Sequence, residues 1–233
     1  MVMERHTGQP RDGELGLRER KKRRTRQRIA DEATLLILDR GFENVTVAEV
    51  AAAAEVSTMT VFNHFPRKED LFLDRVPEGI EAVTRAVEDR RPDETPLAAL
   101  RRNVLAFLDE RHPFGAVGES FPRFWQVVLD SPALRSRARE ALGELEDALA
   151  AAFARAAGED PAAPGTDARL TAALTVAAYR TAYVTTARRQ LAGTGADEAA
   201  VGHRALVHQA FDALERAVNR PRPAEAASAP PAP

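Results

Sequence analysis

The chain has 233 residues, a formal net charge of −2, 44% hydrophobic and 29% charged residues, and no cysteine. That length holds one large domain, or a small domain joined to a larger one. No run of about 18 apolar residues offers a membrane span, the opening MVMERHTGQPRDGE lacks the apolar region of a secretory signal, and without cysteine there is neither a disulfide framework nor a thiolate metal site. The expected location is the cytoplasm, with no membrane, metal or cofactor involved.

In chain order, residues 1–17 lack periodicity and are expected to be disordered, as is the tail PRPAEAASAPPAP over 221–233. Between Arg18 and Arg28 the run RERKKRRTRQR places eight basic residues against the single acid Glu19. So local a concentration says more than the overall charge. Apolar spacing is then helical nearly everywhere, and no segment alternates as a half-buried strand would. The first helix is predicted over about 25–40, with Ile29, Ala33, Leu36 and Ile37 on one face and Gly41 as an αL stop. Thr46 and Glu49 form a capping box for a short second helix bearing Val47, Val50, Ala51 and Ala54. Ser57 caps a third helix of barely two turns, too short to be stable alone. A fourth is predicted from Lys68 toward Arg90, broken or kinked at Pro77.

On a 3.6-residue period, Val61 and Phe65 share one face of the third helix and can pack on Val50, Ala51 and Ala54. Thr58, Met59, Phe62 and Asn63 occupy the other. Two short helices joined by a tight turn make a helix-turn-helix unit. Its outer face suits a major groove, where Asn63 can pair with adenine, threonines can donate or accept, and Met59 or Phe62 can pack on thymine methyls. His64 and Lys68 stand at the far end, where phosphate contacts belong. Arg23 and Arg24, in the basic run, can follow phosphates or enter the minor groove. The plainer alternative is an ordinary helical corner with Phe62 turned inward.

The remaining elements are longer. Thr95-Pro96 opens a helix ending near residue 112, another spans about 119–130, and Ser131-Pro132 opens one to about 157. After the linker GEDPAAPGTD, two last helices are predicted over about 167–192 and 197–219, making roughly nine in all. Leu170, Leu174, Ala178 and Thr181 line one seam, and Val207, Phe211, Leu214 and Val218 another. These are core stripes, or the two halves of a four-helix interface in a homodimer. Phe107, Phe121, Phe124 and Trp125, with Tyr179 and Tyr183, are one core face or the lining of an effector pocket.

The basic run, RGFENVTV, TVAEVAAAAEVSTMTVFNHF and PRKEDLF together resemble the DNA-binding domain of the TetR family of transcriptional regulators, over about a quarter of the chain. The resemblance implies an all-α fold: an N-terminal three-helix helix-turn-helix domain (18–75) and a C-terminal helical bundle for ligand binding and dimerisation (76–220). It further implies a ligand-responsive repressor bound to a palindromic double-stranded DNA operator and released by a small lipophilic effector. The body resembles the family only in helix number and length. Its run ESFPRFWQVVLDSPALRSRARE looks similar to members that take acyl-CoA-like or other lipophilic compounds. Implied DNA contacts are Thr46, Thr58, Met59, Thr60, Phe62, Asn63, His64 and Lys68. Two positions depart from the family pattern: Phe62 stands where tyrosine is usual, and Glu55 where glycine is frequent. No catalytic constellation is found, since the histidines are scattered and Asp109-x-x-His112 occurs once. The competing reading is a ligand-independent DNA-binding protein whose aromatics are plain core.

Overall fold

A computed structural model describes residues 16–218, which form ten α-helices and one 3₁₀ turn, with no strand among them. The disorder expected for 221–233 and for residues up to 15 lies outside the described residues. None of the described helices is long and apolar enough to cross a membrane. The all-α expectation agrees with this architecture.

Helix α1 spans Leu17–Arg40 and starts eight residues before the predicted residue 25. The basic run is therefore helical, and Leu17, placed with the arm, is its first residue. The reason lies in the side chains: arginine and lysine are good helix formers, so the run needs no apolar stripe to wind. Ile29, Ala30, Ala33 and Ile37 form the buried face. Gly41 ends the helix with φ +82° and ψ 154°, its N–H bonding the Ile37 carbonyl at 2.8 Å. The φ suits glycine as expected, but the ψ is extended rather than αL.

Helix α2 (Val47–Ala53) carries the predicted capping box. The turn at Glu55 has φ +51°, the left-handed position where a side chain costs ~1 kcal/mol. Helix α3 (Thr58–His64) is capped by Ser57 and buries Val61, with Phe65 buried just past its end. The predicted fourth helix is two: α4 (Glu69–Phe72) and α5 (Val76–Glu88). Pro77 does not interrupt a helix. It sits in the first turn of α5, where a missing N–H is tolerated, and the break falls before it.

The rest are α6 (Pro96–Asp109), the 3₁₀ turn Pro113–Gly115, α7 (Phe121–Asp130), α8 (Pro132–Ala156), α9 (Thr166–Leu191) and α10 (Ala196–Val218). Gly115 is required by close packing: a Cβ there would lie 2.7 Å from the Phe107 carbonyl oxygen.

The chain divides into two compact units. The first comprises residues up to Arg75 together with Gln126–Ala138. Its buried residues include Ile29, Ile37, Val50, Val61, Phe65 and Leu71, with Leu134 from α8. Ser131 donates to Glu43 at 2.7 Å and Arg137 to Asp70 at 2.7 Å, which explains why Gln126–Ala138, expected in the body, belongs here. The second unit comprises Val76–Trp125 and the residues from Arg139 onward. Its core joins Leu100 and Val104 of α6, Leu149 and Phe153 of α8, Val176 of α9, and Val207, Phe211 and Leu214 of α10. Those last three are thus core of a single chain, not the interface seam that their spacing also allowed.

Candidate nucleic-acid interface and aromatic cluster

Helix α3 separates its two faces cleanly. Val61 is fully buried and Phe65 nearly so, whereas Met59 is 68% and Phe62 46% exposed. Thr58 and Asn63 are also exposed, and neither side chain has a hydrogen-bond partner among the described residues. Phe62 does not turn inward, as the plainer alternative of a helical corner required. An unpaired amide, an unpaired hydroxyl and two apolar side chains on one solvent face form a surface able to read base edges.

Other expected contacts are committed elsewhere. The Thr46 hydroxyl donates to Glu49 Oε2 at 2.8 Å and accepts from the Glu49 N–H at 3.2 Å, so it holds the capping box closed. The Thr60 hydroxyl lies 2.8 Å from the Ser57 hydroxyl, while the Thr60 N–H caps onto Ser57 at 3.1 Å. Lys68 Nζ donates to the Phe42 carbonyl at 2.6 Å and sits 4.2 Å from the centre of the Phe42 ring. It fastens α4 to the turn after α1, which is a structural role that the sequence reading missed. His64 is partly buried, and desolvation, with Arg26 and Lys22 nearby, holds its imidazole below the usual range.

Arg23 and Arg24 are exposed on α1. Arg26 behaves differently from its neighbours in the run. It donates to the His64 carbonyl at 2.6 Å and the Asp74 carbonyl at 3.2 Å, and lies 4.0 Å over the Phe65 ring. The signal for this was present: Arg26 falls on the period of Ile29, Ala30, Ala33 and Ile37, so it faces inward.

In the second unit five of the six expected pocket residues converge. Tyr183 stands edge-on to Phe121 at 5.7 Å and to Trp125 at 5.6 Å between ring centres, and Tyr179 lies 5.9 Å from it. Phe124 packs on Phe121 and Trp125. Phe107 joins a different group, stacked on His112 at 4.8 Å and edge-on to Phe114 at 5.6 Å. The Tyr179 hydroxyl links the two groups by donating to the Phe114 carbonyl at 3.3 Å. Burial pushes both tyrosine phenols well above their usual range, with the Trp125 side chain pulling Tyr183 slightly back.

An open cleft of about 460 Å³ lies at Gly118, Glu119, Pro122, Gln190 and Gly193–Asp197. Its walls are mostly polar and include none of the six expected aromatics. Gln190 is among its lining residues, donating to the Ala116 carbonyl at 2.8 Å and accepting from the Gly118 N–H at 3.3 Å. Among the described residues no group of three metal-ligating side chains occurs.

The expected dimer seams divide. Leu170 is 55% and Val218 37% exposed, and Thr181 is exposed with its hydroxyl donating to the Ala177 carbonyl. Leu174 and Ala178 are half-buried, Leu174 against the core. Val201, on α10, is 74% exposed and was not anticipated.

Residues 29–74 match the family model described as bacterial regulatory proteins, tetR family. The HTH-type transcriptional regulator TcmR of Streptomyces glaucescens is 35% identical over 148 residues, 62% of this chain and 66% of that protein. The HTH-type transcriptional regulator BetI of Paraburkholderia phymatum is 32% identical over 127 residues, 53% of this chain and 65% of that one. The chain thus spans just under two thirds of the length of both relatives. NalD, the secondary repressor of the MexAB-OprM multidrug efflux pump in Pseudomonas aeruginosa, matches with a TM-score of 0.53 at 19% identity, over 82% of this chain and 96% of its own. SmeT in complex with triclosan matches with a TM-score of 0.53 at 17% identity, over 90% and 99%. These last two are likenesses of fold. With the helix-turn-helix geometry of α2 and α3, the family match and the curated relatives lead to one conclusion: the chain belongs to the TetR family of bacterial regulatory proteins.

Proposed function

We propose that the protein is a DNA-binding transcriptional repressor, acting as a homodimer on a palindromic operator and released by a small lipophilic effector. The carrying observation is the outer face of α3, where Thr58, Met59, Phe62 and Asn63 stand in solvent over a buried Val61 and Phe65. The exposed arginines and lysines of α1 supply phosphate affinity that weakens with salt. Thr58 and Asn63 read bases, and Met59 and Phe62 meet thymine methyls. A two-turn recognition helix reads few bases, which favours two symmetry-related copies one duplex repeat apart, roughly 34 Å. Leu170 on α9 and Val201 on α10, both exposed, offer apolar side chains that a second copy would cover.

The aromatic cluster is the proposed effector site. Triclosan, held by SmeT, is a lipophile of the size this reading has in mind. Coupling runs through continuous helix: α7 begins in the second unit with Phe121–Trp125 and ends in the first with Gln126–Asp130. The expected connection through the helix from Lys68 is weaker, because the chain is not helical between α4 and α5. An effector shifts the equilibrium only by its difference in affinity for the two states.

A ligand-independent regulator is favoured by one observation: the rings of the cluster close on one another, and the cleft of about 460 Å³ lies outside them. Selection of bound DNA from a random pool tests the main reading. Recovery of one inverted repeat is expected, and recovery of unrelated sequences would overturn it.

A further inference from the structure

His203, on α10, is 1% exposed, and its Nδ1 lies 2.8 Å from the Thr186 hydroxyl on α9. Its other ring nitrogen, Nε2, is buried without a hydrogen-bond partner among the described residues. The 2.8 Å contact admits two proton arrangements. If Nδ1 donates, the Thr186 proton and the Nε2 lone pair are both left unpaired. If Thr186 donates, only the Nε2–H is left. Unpaired buried groups are unfavourable, so the arrangement with fewer of them prevails. The neighbours agree: Thr175, Thr181 and Thr185 each donate to the carbonyl four residues back, whereas Thr186 turns its hydroxyl to the imidazole.

The result is an N–H donor with a set tautomer and no acceptor. Burial alone brings the His203 pKa down to about 4, which keeps the ring neutral. It lies edge-on to Tyr179 at 6.1 Å, and Tyr179 leads on to Tyr183, Trp125 and Phe121. The imidazole therefore adjoins a path of rings that carry no charge. Gln190, which lines the open cleft, lies one turn beyond Thr186 on the same helix.

We infer that the Nε2–H of His203 is the polar anchor of the effector, which is an uncharged, mainly apolar molecule presenting one oxygen acceptor, such as a carbonyl. This rests on the proposed reading of the aromatic cluster as an effector site. An anion gains no cation from the ring path and loses its hydration on entry. A hydrocarbon of equal shape leaves the N–H as unpaired as before, so it is bound less well.

Trp125 is the only tryptophan in the chain, so its indole N–H gives a single reporter resonance inside the cluster. The probes are 1-indanone and indane, which differ by one carbonyl. Full-length protein is titrated with each, following the Trp125 indole signal. Both shift it saturably, 1-indanone with roughly tenfold higher affinity, a 1.4 kcal/mol difference. His203→Phe keeps a ring but removes the donor, bringing 1-indanone down to the level of indane. His203→Gln, which restores an N–H donor, recovers part of the preference. Equal affinity of the two probes, or a preference that survives His203→Phe, overturns the anchor while leaving the effector site standing. No saturable shift with either probe overturns both.

Discussion

Arg26 reaches from α1 across Phe65 to the carbonyls of His64 and Asp74, lying 4.0 Å from the ring centre with its shorter hydrogen bond at 2.6 Å. One member of the basic run thereby fastens the end of the recognition helix. Arg26→Ala is expected to destabilise the first unit by about 1–3 kcal/mol, since it removes a cation–π contact and two hydrogen bonds to backbone carbonyls. Arg24→Ala, at an exposed position, leaves stability unchanged and lowers the slope of log affinity against log salt by ~1. Urea unfolding and salt titrations of DNA binding separate the two. Equal unfolding midpoints would refute the clamp.

Asn63 and Lys68 are predicted to diverge in the same way. Asn63→Ala, removing an exposed amide without a partner, should narrow the gap between operator and random DNA by about 1–3 kcal/mol and leave the fold intact. Lys68→Met keeps the stem but loses the bond to the Phe42 carbonyl, so its effect falls on stability, by about 1–3 kcal/mol. Competition binding with measured melts checks both. Loss of base preference in the Lys68 variant would return that residue to the interface.

Glu49 makes the first unit acid-sensitive. The Thr46 N–H, then the Thr46 hydroxyl, then Arg40 hold its carboxylate down from about 4.5 to about 2. A pKa lower in the folded state means stabilisation that is complete above the unfolded value and is lost as pH falls through the folded one. Glu49→Gln is therefore expected to melt below wild type at neutral pH, with the difference shrinking between pH 4.5 and 2. A difference that stays constant across that window would show that the charge is irrelevant.

The helices α9 and α10 offer a paired test of assembly. Phe211→Ala, at a buried core position, should cost about 3–5 kcal/mol of stability. Leu170→Glu, at a 55% exposed position, should leave stability within about 0.5 kcal/mol and raise the dimer dissociation constant at least roughly tenfold. Light scattering across a dilution series reads the second effect. An undisturbed dimer would place the interface on another face.

What could be read in advance was whatever depends on neighbours in sequence. The caps at Thr46, Ser57 and Thr95, and the inward Val61 and Phe65, follow from local hydrogen bonding and a 3.6-residue period, and all are as expected. What could not be read was which partner a side chain finds. Val207, Phe211 and Leu214 form a stripe, but a stripe does not say whether its own chain or a second copy covers it. Phe107 looks equivalent to Phe121 as one more aromatic, yet the 3₁₀ turn draws it to Phe114 and His112. Lys68 and Arg26 carry the charge of DNA-binding residues and perform the work of clamps, since each finds a carbonyl and a ring 26 or more residues away.

The winding of α1 from Leu17 has a calorimetric corollary. Flexible basic tails surrender their freedom on meeting a polyanion, and coupled ordering of that kind leaves a large negative heat-capacity increment. Here the cationic residues ride on a rod of 24 residues, about 36 Å long, already wound in the unbound protein. Association should then proceed with a small increment, set by surface contact alone, and with encounter rates free of any folding delay.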